Sequence, residues 1–111
     1  MIHAIIDIGS NTVRMAVYQI KDGAVEQKDT TVGLASFVHD NVLEERGIKR
    51  LIYALEDFQK FLAALRIEDI TIFATGALRN AANSREAVAA IKERTGLDIY
   101  VIRGEEEAEL D

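Results

Sequence analysis

The chain has 111 residues, of which 49% are hydrophobic and 29% charged, a balance that fits one folded domain and excludes a disordered polyelectrolyte. A formal net charge of −6 leaves no cationic surface for general nucleic-acid or acidic-membrane binding, so any polyanion must be met locally by backbone N–H groups, a few arginines or a metal ion. With no cysteine, disulfides, thiolate metal sites and cysteine nucleophiles are all excluded.

The N-terminus enters an apolar segment without a basic leader, and no apolar run is long enough to span a bilayer, so a cytoplasmic location is expected. Ile2 to Ile8 is short and apolar, Gly9-Ser10-Asn11-Thr12 is polar, and Val13 to Ile20 is apolar again, which reads as strand, tight turn, strand. Lys21-Asp22-Gly23 is a hairpin signal, and Ala24 to Val32 carries enough β-branched residues to complete an antiparallel meander. Gly33 to Asn41 reads as loop or a short helical turn. From about Leu43, the positions Ile48, Leu51, Ile52, Leu55, Phe58, Leu62 and Leu65 recur at helical steps, marking one face of a long amphipathic helix that ends near Arg66.

Ile70 to Thr75 is nearly all apolar, as expected of a strand covered on both faces, and Gly76 ends it. Asn83 or Ser84 is the expected N-cap of a second helix that Gly96 stops. Asp98 to Ile102 reads as a further strand, and Gly104 with Glu105-Glu106-Glu107 opens a helix whose acidic first turn suits the dipole. The order βββαβαβα, with helical crossovers adding parallel strands to a meander, predicts an α/β mixed sheet of ribonuclease H-like layout in a single domain over residues 1–111. The last helix has scarcely begun at Asp111, so a chain cut short of a whole molecule is expected.

Three segments carry candidate chemistry. The turn from Asp7 to Thr12 joins two strands and can aim several N–H groups and hydroxyls at one anion, with Gly9 permitting close approach and Asp7 placed to hold a metal ion directly or through water. An ordinary hairpin turn bonded to its own backbone has the same composition. Ala74-Thr75-Gly76-Ala77-Leu78-Arg79-Asn80-Ala81 follows a buried strand, where open α/β sheets place ligands, so Arg79 is either a phosphate fork facing a crevice or a surface arginine on a loop. Glu105, Glu106 and Glu107 form a solvated helix start or supply a general base, and spacing does not choose among them. His3 and His39 have no partner at metal-ligand or triad spacing and read as structural or surface residues.

Together these segments resemble the exopolyphosphatase / guanosine pentaphosphate phosphohydrolase family, a branch of the superfamily of actin, sugar kinases and chaperone ATPases. The resemblance is carried by Ala4-Ile5-Ile6-Asp7-Ile8-Gly9-Ser10-Asn11-Thr12-Val13-Arg14, by Ala74 to Ala81 with Asn83, and by Gly104-Glu105-Glu106-Glu107-Ala108. It implies a first phosphate-binding loop at Gly9, Ser10, Asn11 and Thr12, a phosphate contact at Arg79, and Glu107 as the base that orients or deprotonates the attacking water, with Mg²⁺ neutralising the phosphates. The implied substrate is inorganic polyphosphate or guanosine pentaphosphate, and homodimerisation of the full-length chain is a further expectation. Thr12 stands where many relatives carry serine, and Glu109 places another negative charge where arginine is common.

The second-domain Asp-x-Gly-Gly-Gly-Ser loop that closes the family's cleft does not occur before Asp111, so this chain alone is expected to be inactive. The alternatives are a kinase or ATPase of the same superfamily, and a non-catalytic phosphate-binding or dimerising module.

Overall fold

In the computed structural model, which describes residues 2–19 and 24–102, the alternation of side chains along the first strand decides where the core lies. Along β1 (Ile2–Ile8), Ala4, Ile6 and Ile8 are buried, while Ile5 and Asp7 point to the other face of the sheet. β2 (Thr12–Gln19) runs antiparallel to β1 in the register Ile8 to Val13, and β3 (Ala24–Thr31) pairs antiparallel with β2, Thr12 facing Thr31. Val13, Met15 and Val17 of β2 therefore join the same buried face.

Between β3 and the first long helix, Leu34–Phe37 forms a short 3-10 turn, followed by a small hairpin of β4 (Val38–His39) and β5 (Val42–Leu43). Its tip, Asp40 and Asn41, adopts positive φ angles of 52° and 65°, a conformation that Asp and Asn tolerate better than most residues. α1 (Glu45–Ala64) follows. It starts after the hairpin because Val42 and Leu43 are held in an extended pair.

Leu51, Leu55, Phe58 and Leu62 of α1 are fully buried against the sheet, and each contributes about 1.5–3 kcal/mol through its removal from water. β6 (Ile70–Ala74) lies parallel to β1, with Ile6 beside Ile72 and Ile8 beside Ala74, and β7 (Tyr100–Val101) lies parallel to β6. Between them run α2 (Gly76–Asn80) and α3 (Ser84–Thr95), whose Ala87 and Ile91 enter the core. Gly96 closes α3 in the left-handed conformation expected of a helix terminator.

The five-stranded sheet has the order β3-β2-β1-β6-β7, antiparallel across the meander and parallel from β1 outward, which is the ribonuclease H-like arrangement. The predicted strands and helices follow in their predicted order through β7, but the structure inserts the β4–β5 hairpin before α1, where a loop or short helical turn was expected, and α2 before α3. The Lys21-Asp22-Gly23 turn and the helix expected from Gly104 lie outside the described residues.

The structure departs from the sequence expectations in further details. The segment after Ala74 is a short helix rather than a loop. Asn83 occupies the N-cap position of α3 but makes no capping bond. β6 is covered on one face among the described residues: Ile72 and Ala74 are buried, whereas Thr71 and Phe73 are half-buried on the other face, where the Phe73 ring lies 6.2 Å from that of the exposed Tyr100. Among the described residues no helix is long and apolar enough to cross a membrane.

Candidate phosphate site

Because β1 and β6 are parallel, the turn after β1 and the segment after β6 leave the sheet at the same edge, and the Thr75 N–H donates to the Ile8 carbonyl at 3.0 Å. The turn is closed by the Gly9 N–H donating to the Thr12 carbonyl at 3.1 Å. Its other carbonyls face inward. Ser10 O accepts from the Ala35 N–H at 2.9 Å, and Asn11 O accepts from the N–H groups of Val32 and Gly33 at 3.0 and 2.8 Å.

In a planar trans peptide the N–H points opposite to the C=O, so pinning these two carbonyls directs the amides of Asn11 and Thr12 away from residues 32–35. The Asn11 N–H has no acceptor among the described residues. A turn held by its carbonyls in this way presents donors to an anion without having to rearrange.

The second segment is built around the first. Ala77 N–H, in the first turn of α2, donates to Ser10 Oγ at 2.9 Å. A serine hydroxyl that accepts in this way keeps its own proton to donate elsewhere. Gly76 sits at φ +60°, and a Cβ there would stand 2.1 Å from Ser10 Oγ, so only glycine allows α2 to start against this turn. The hairpin reading of Asp7 to Thr12 is thus correct for the backbone, but the Ser10 side chain bonds across the sheet edge rather than within its own turn.

The connection between α2 and α3 is tied to the β4–β5 hairpin. Ala82 N–H donates to the Asn41 carbonyl, and the Asn83 side chain accepts from the Leu43 N–H and donates to the Leu43 carbonyl, both at 2.9 Å. A hollow of about 310 Å³ results, lined by Ser10, Ala35, Val38, Asn41, Ala77 and Asn80.

Arg79 lies at the same sheet edge but lines a neighbouring hollow of about 530 Å³ together with Arg85, Val88, Lys92, Asp98 and Val101. Its Nη1 reaches the Ile102 carbonyl at 3.4 Å and its Nε reaches Asn80 Oδ1 at 3.3 Å. Asn80 therefore stands between the two hollows.

Gly9, Ser10, Asn11 and Thr12 are thus assembled in one turn and Arg79 is their neighbour, reached through Asn80. Asp7 is exposed at the end of β1, in register with Arg14 on one side and Phe73 on the other. Glu105, Glu106 and Glu107 lie outside the described residues. Among the described residues no three His, Cys, Asp or Glu side chains gather into a cage. One carboxylate at the strand end fits a Mg²⁺ ion that takes its remaining ligands from water and phosphate oxygens, the usual mode for that ion.

His3, bonded to Thr71 Oγ1 at 3.1 Å, and His39, paired with Glu44 at 2.8 Å, have the structural and surface roles expected of them. Asn41 escaped the sequence reading, Asn80 entered it only within the Ala74 to Ala81 segment, and Asn83 entered it as a helix cap rather than as the tie to the hairpin. The polar Asp40-Asn41 pair before an apolar residue was the one available signal for the hairpin.

The Ppx/GppA phosphatase family matches residues 16–111 of this chain. A protein named Exopolyphosphatase 1, from Mycobacterium tuberculosis (strain ATCC 25618 / H37Rv), is 29% identical over 96% of this chain and 32% of its own length. The crystal structure of the Aquifex aeolicus member of the Ppx/GppA protein family has a TM-score of 0.86 at 33% identity, over 96% of this chain and 36% of that one. An exopolyphosphatase from Cytophaga hutchinsonii shares the fold with a TM-score of 0.90 at 24% identity, over 99% of this chain and 36% of that one. The chain spans about a third of the length of these relatives.

Proposed function

Since the chain belongs to the Ppx/GppA phosphatase family, we propose that it forms one wall of a phosphoanhydride hydrolase that releases terminal phosphate from inorganic polyphosphate. The observation that carries this reading is the junction of Ser10 with Gly76 and Ala77, which locks the turn after β1 against the segment after β6. Polyphosphate is favoured by the name of the similar mycobacterial protein. Guanosine pentaphosphate presents the same terminal linkage and would need a guanine pocket beyond the turn.

In this reading the amides of Asn11 and Thr12, with the Ser10 hydroxyl, donate to oxygens of the terminal phosphate, and Gly9 lets the phosphate approach the backbone. Arg79 pairs with a neighbouring phosphate group. Asp7 holds Mg²⁺ through water, and the ion, when bound, offsets the phosphate charge. Glu107 orients or deprotonates the water that attacks phosphorus.

A wall of this kind grips phosphate from one side. Orientation of all reacting groups contributes roughly 7–11 kcal/mol to barrier lowering in favourable cases, so this chain by itself is expected to bind without appreciable turnover.

The test is calorimetric titration of the chain with tripolyphosphate in Mg²⁺, comparing wild type with Ser10→Ala. Loss of a hydrogen bond to a charged group predicts roughly tenfold weaker binding, with the circular dichroism spectrum unchanged. Equal affinity in the two proteins would remove the phosphate from this turn. In a protein that spans the whole length of these relatives and carries this chain as its first part, Glu107→Gln is expected to lower kcat while leaving tripolyphosphate affinity in place, because a base acts mainly in the transition state.

A further inference from the structure

The hollow at the phosphate turn is lined by the polar side chains of Ser10, Asn41 and Asn80 beside the apolar Ala35, Val38 and Ala77, and among the described residues no charged side chain belongs to this lining. An anion entering it is met by neutral groups, so the direction in which each of them points decides what the hollow holds.

Two observations fix the direction of Asn80. Ala77 and Asn80 stand three positions apart in α2 and so share one face of that helix, the face whose Ala77 N–H donates to Ser10 Oγ at 2.9 Å. On its other side, Arg79 Nε lies 3.3 Å from Asn80 Oδ1. A guanidinium has only donors, so the branch of the carboxamide turned toward Arg79 must be the oxygen. The amide nitrogen is the opposite branch of the same plane. Arg79 lines the neighbouring hollow and Asn80 lines this one, so the side away from Arg79 is the side of Ser10 and Ala77. Among the described residues Asn80 Nδ2 has no acceptor.

We propose that Asn80 is a specificity-determining ligand of the terminal phosphate, donating from Nδ2 to an oxygen of the group held at the Ser10 turn, and that Arg79 is the residue that positions it. Without the bond to Arg79, the carboxamide can turn its oxygen into the hollow, where lone pairs would face an anion. This rests on the reading of the Ser10 turn as the terminal-phosphate site and adds a chemical requirement. The oxygen facing α2 has to be an ionised one, since a protonated P–OH would set donor against donor.

The experiment titrates the 111-residue chain with tripolyphosphate in Mg²⁺, by calorimetry and by following the Asn80 side-chain NH₂ resonances. Those resonances should shift on titration. Asn80→Ala should weaken binding roughly fivefold. Asn80→Asp keeps the acceptor for Arg79 but sets a carboxylate oxygen in place of the donor, and should weaken binding further, roughly thirtyfold. On an Arg79→Lys background, which keeps a positive charge and lacks the Nε–H, Asn80→Ala should cost less than about twofold.

Asn80 is exposed and its side chain ties no second element, so circular dichroism should be unchanged in each variant. Wild-type affinity in Asn80→Ala, with Ser10→Ala still weakened, would overturn the Asn80 contact and leave the terminal site standing; a loss in Asn80→Asp alone would then be a charge effect. Asn80 resonances that stay in place during the wild-type titration would overturn the contact whatever the variants do. Unmoved affinity in Ser10→Ala would overturn the terminal site and the role of Asn80 in it together. The same loss from Asn80→Ala on both backgrounds would overturn the positioning role of Arg79.

Discussion

The segments that leave β1 and β6 reach the same edge of the sheet by different means. The turn after β1 joins strands that already pair residue by residue, so its closure is local, and residues 32–35 fasten it further by holding its carbonyls. The segment after β6 has no such partner strand and becomes helical where the Ser10 hydroxyl, 67 positions away in sequence, receives the Ala77 N–H. A site assembled from both has one part that forms with its hairpin and another that depends on that part being in place.

The glycines separate the two dependences most sharply. Gly76→Ala combines a left-handed backbone with a Cβ 2.1 Å from Ser10 Oγ, and is expected to cost about 3 kcal/mol in urea denaturation. Gly9→Ala meets only the Thr12 carbonyl at 3.1 Å, without a left-handed φ, and should cost about 1 kcal/mol. Equal losses would mean that the two segments are fastened alike.

A smaller effect is expected at the tie between the hairpin and the helical half. Asn83→Ala removes both bonds to the Leu43 backbone and should destabilise by about 2 kcal/mol. Asn83→Asp keeps the acceptor for the Leu43 N–H but sets a carboxylate against the Leu43 carbonyl, so it should fall no closer to wild type than alanine does. Recovery of wild-type stability by aspartate would return Asn83 to the capping role its position suggests.

The smallest effect tests the turn itself. Thr12→Ser keeps the hydroxyl and removes a methyl group that is only half-buried, so stability should change by less than about 0.5 kcal/mol and tripolyphosphate affinity should stay unchanged. A large change in affinity would give the Thr12 methyl group a role in shaping the turn, as against the amide and hydroxyl alone.

What could be read from residues alone were the features whose cause is local. β1 is bounded by the polar run that begins at Gly9, α1 declares itself by its apolar spacing, and Gly96 ends α3 because a left-handed residue terminates a helix wherever it sits. The polar composition of the Gly9 to Thr12 turn marked it as a tight turn for the same reason, and left an anion site and an ordinary hairpin turn equally open. Tertiary structure decided the rest. Gly76 reads as the end of a strand until Ser10 stands against it, and Asn83 reads as a cap until the β4–β5 hairpin offers it a backbone to hold.

The separation of Arg79 from the Ser10 hollow was likewise not legible, since it follows from Arg79 reaching the Ile102 carbonyl across the parallel strands rather than from any spacing in the chain. Hydrophobic period and backbone preference act over a few residues and leave their mark in sequence. The direction in which a side chain finds its hydrogen-bond partner is set by whichever distant backbone the packed sheet brings beside it.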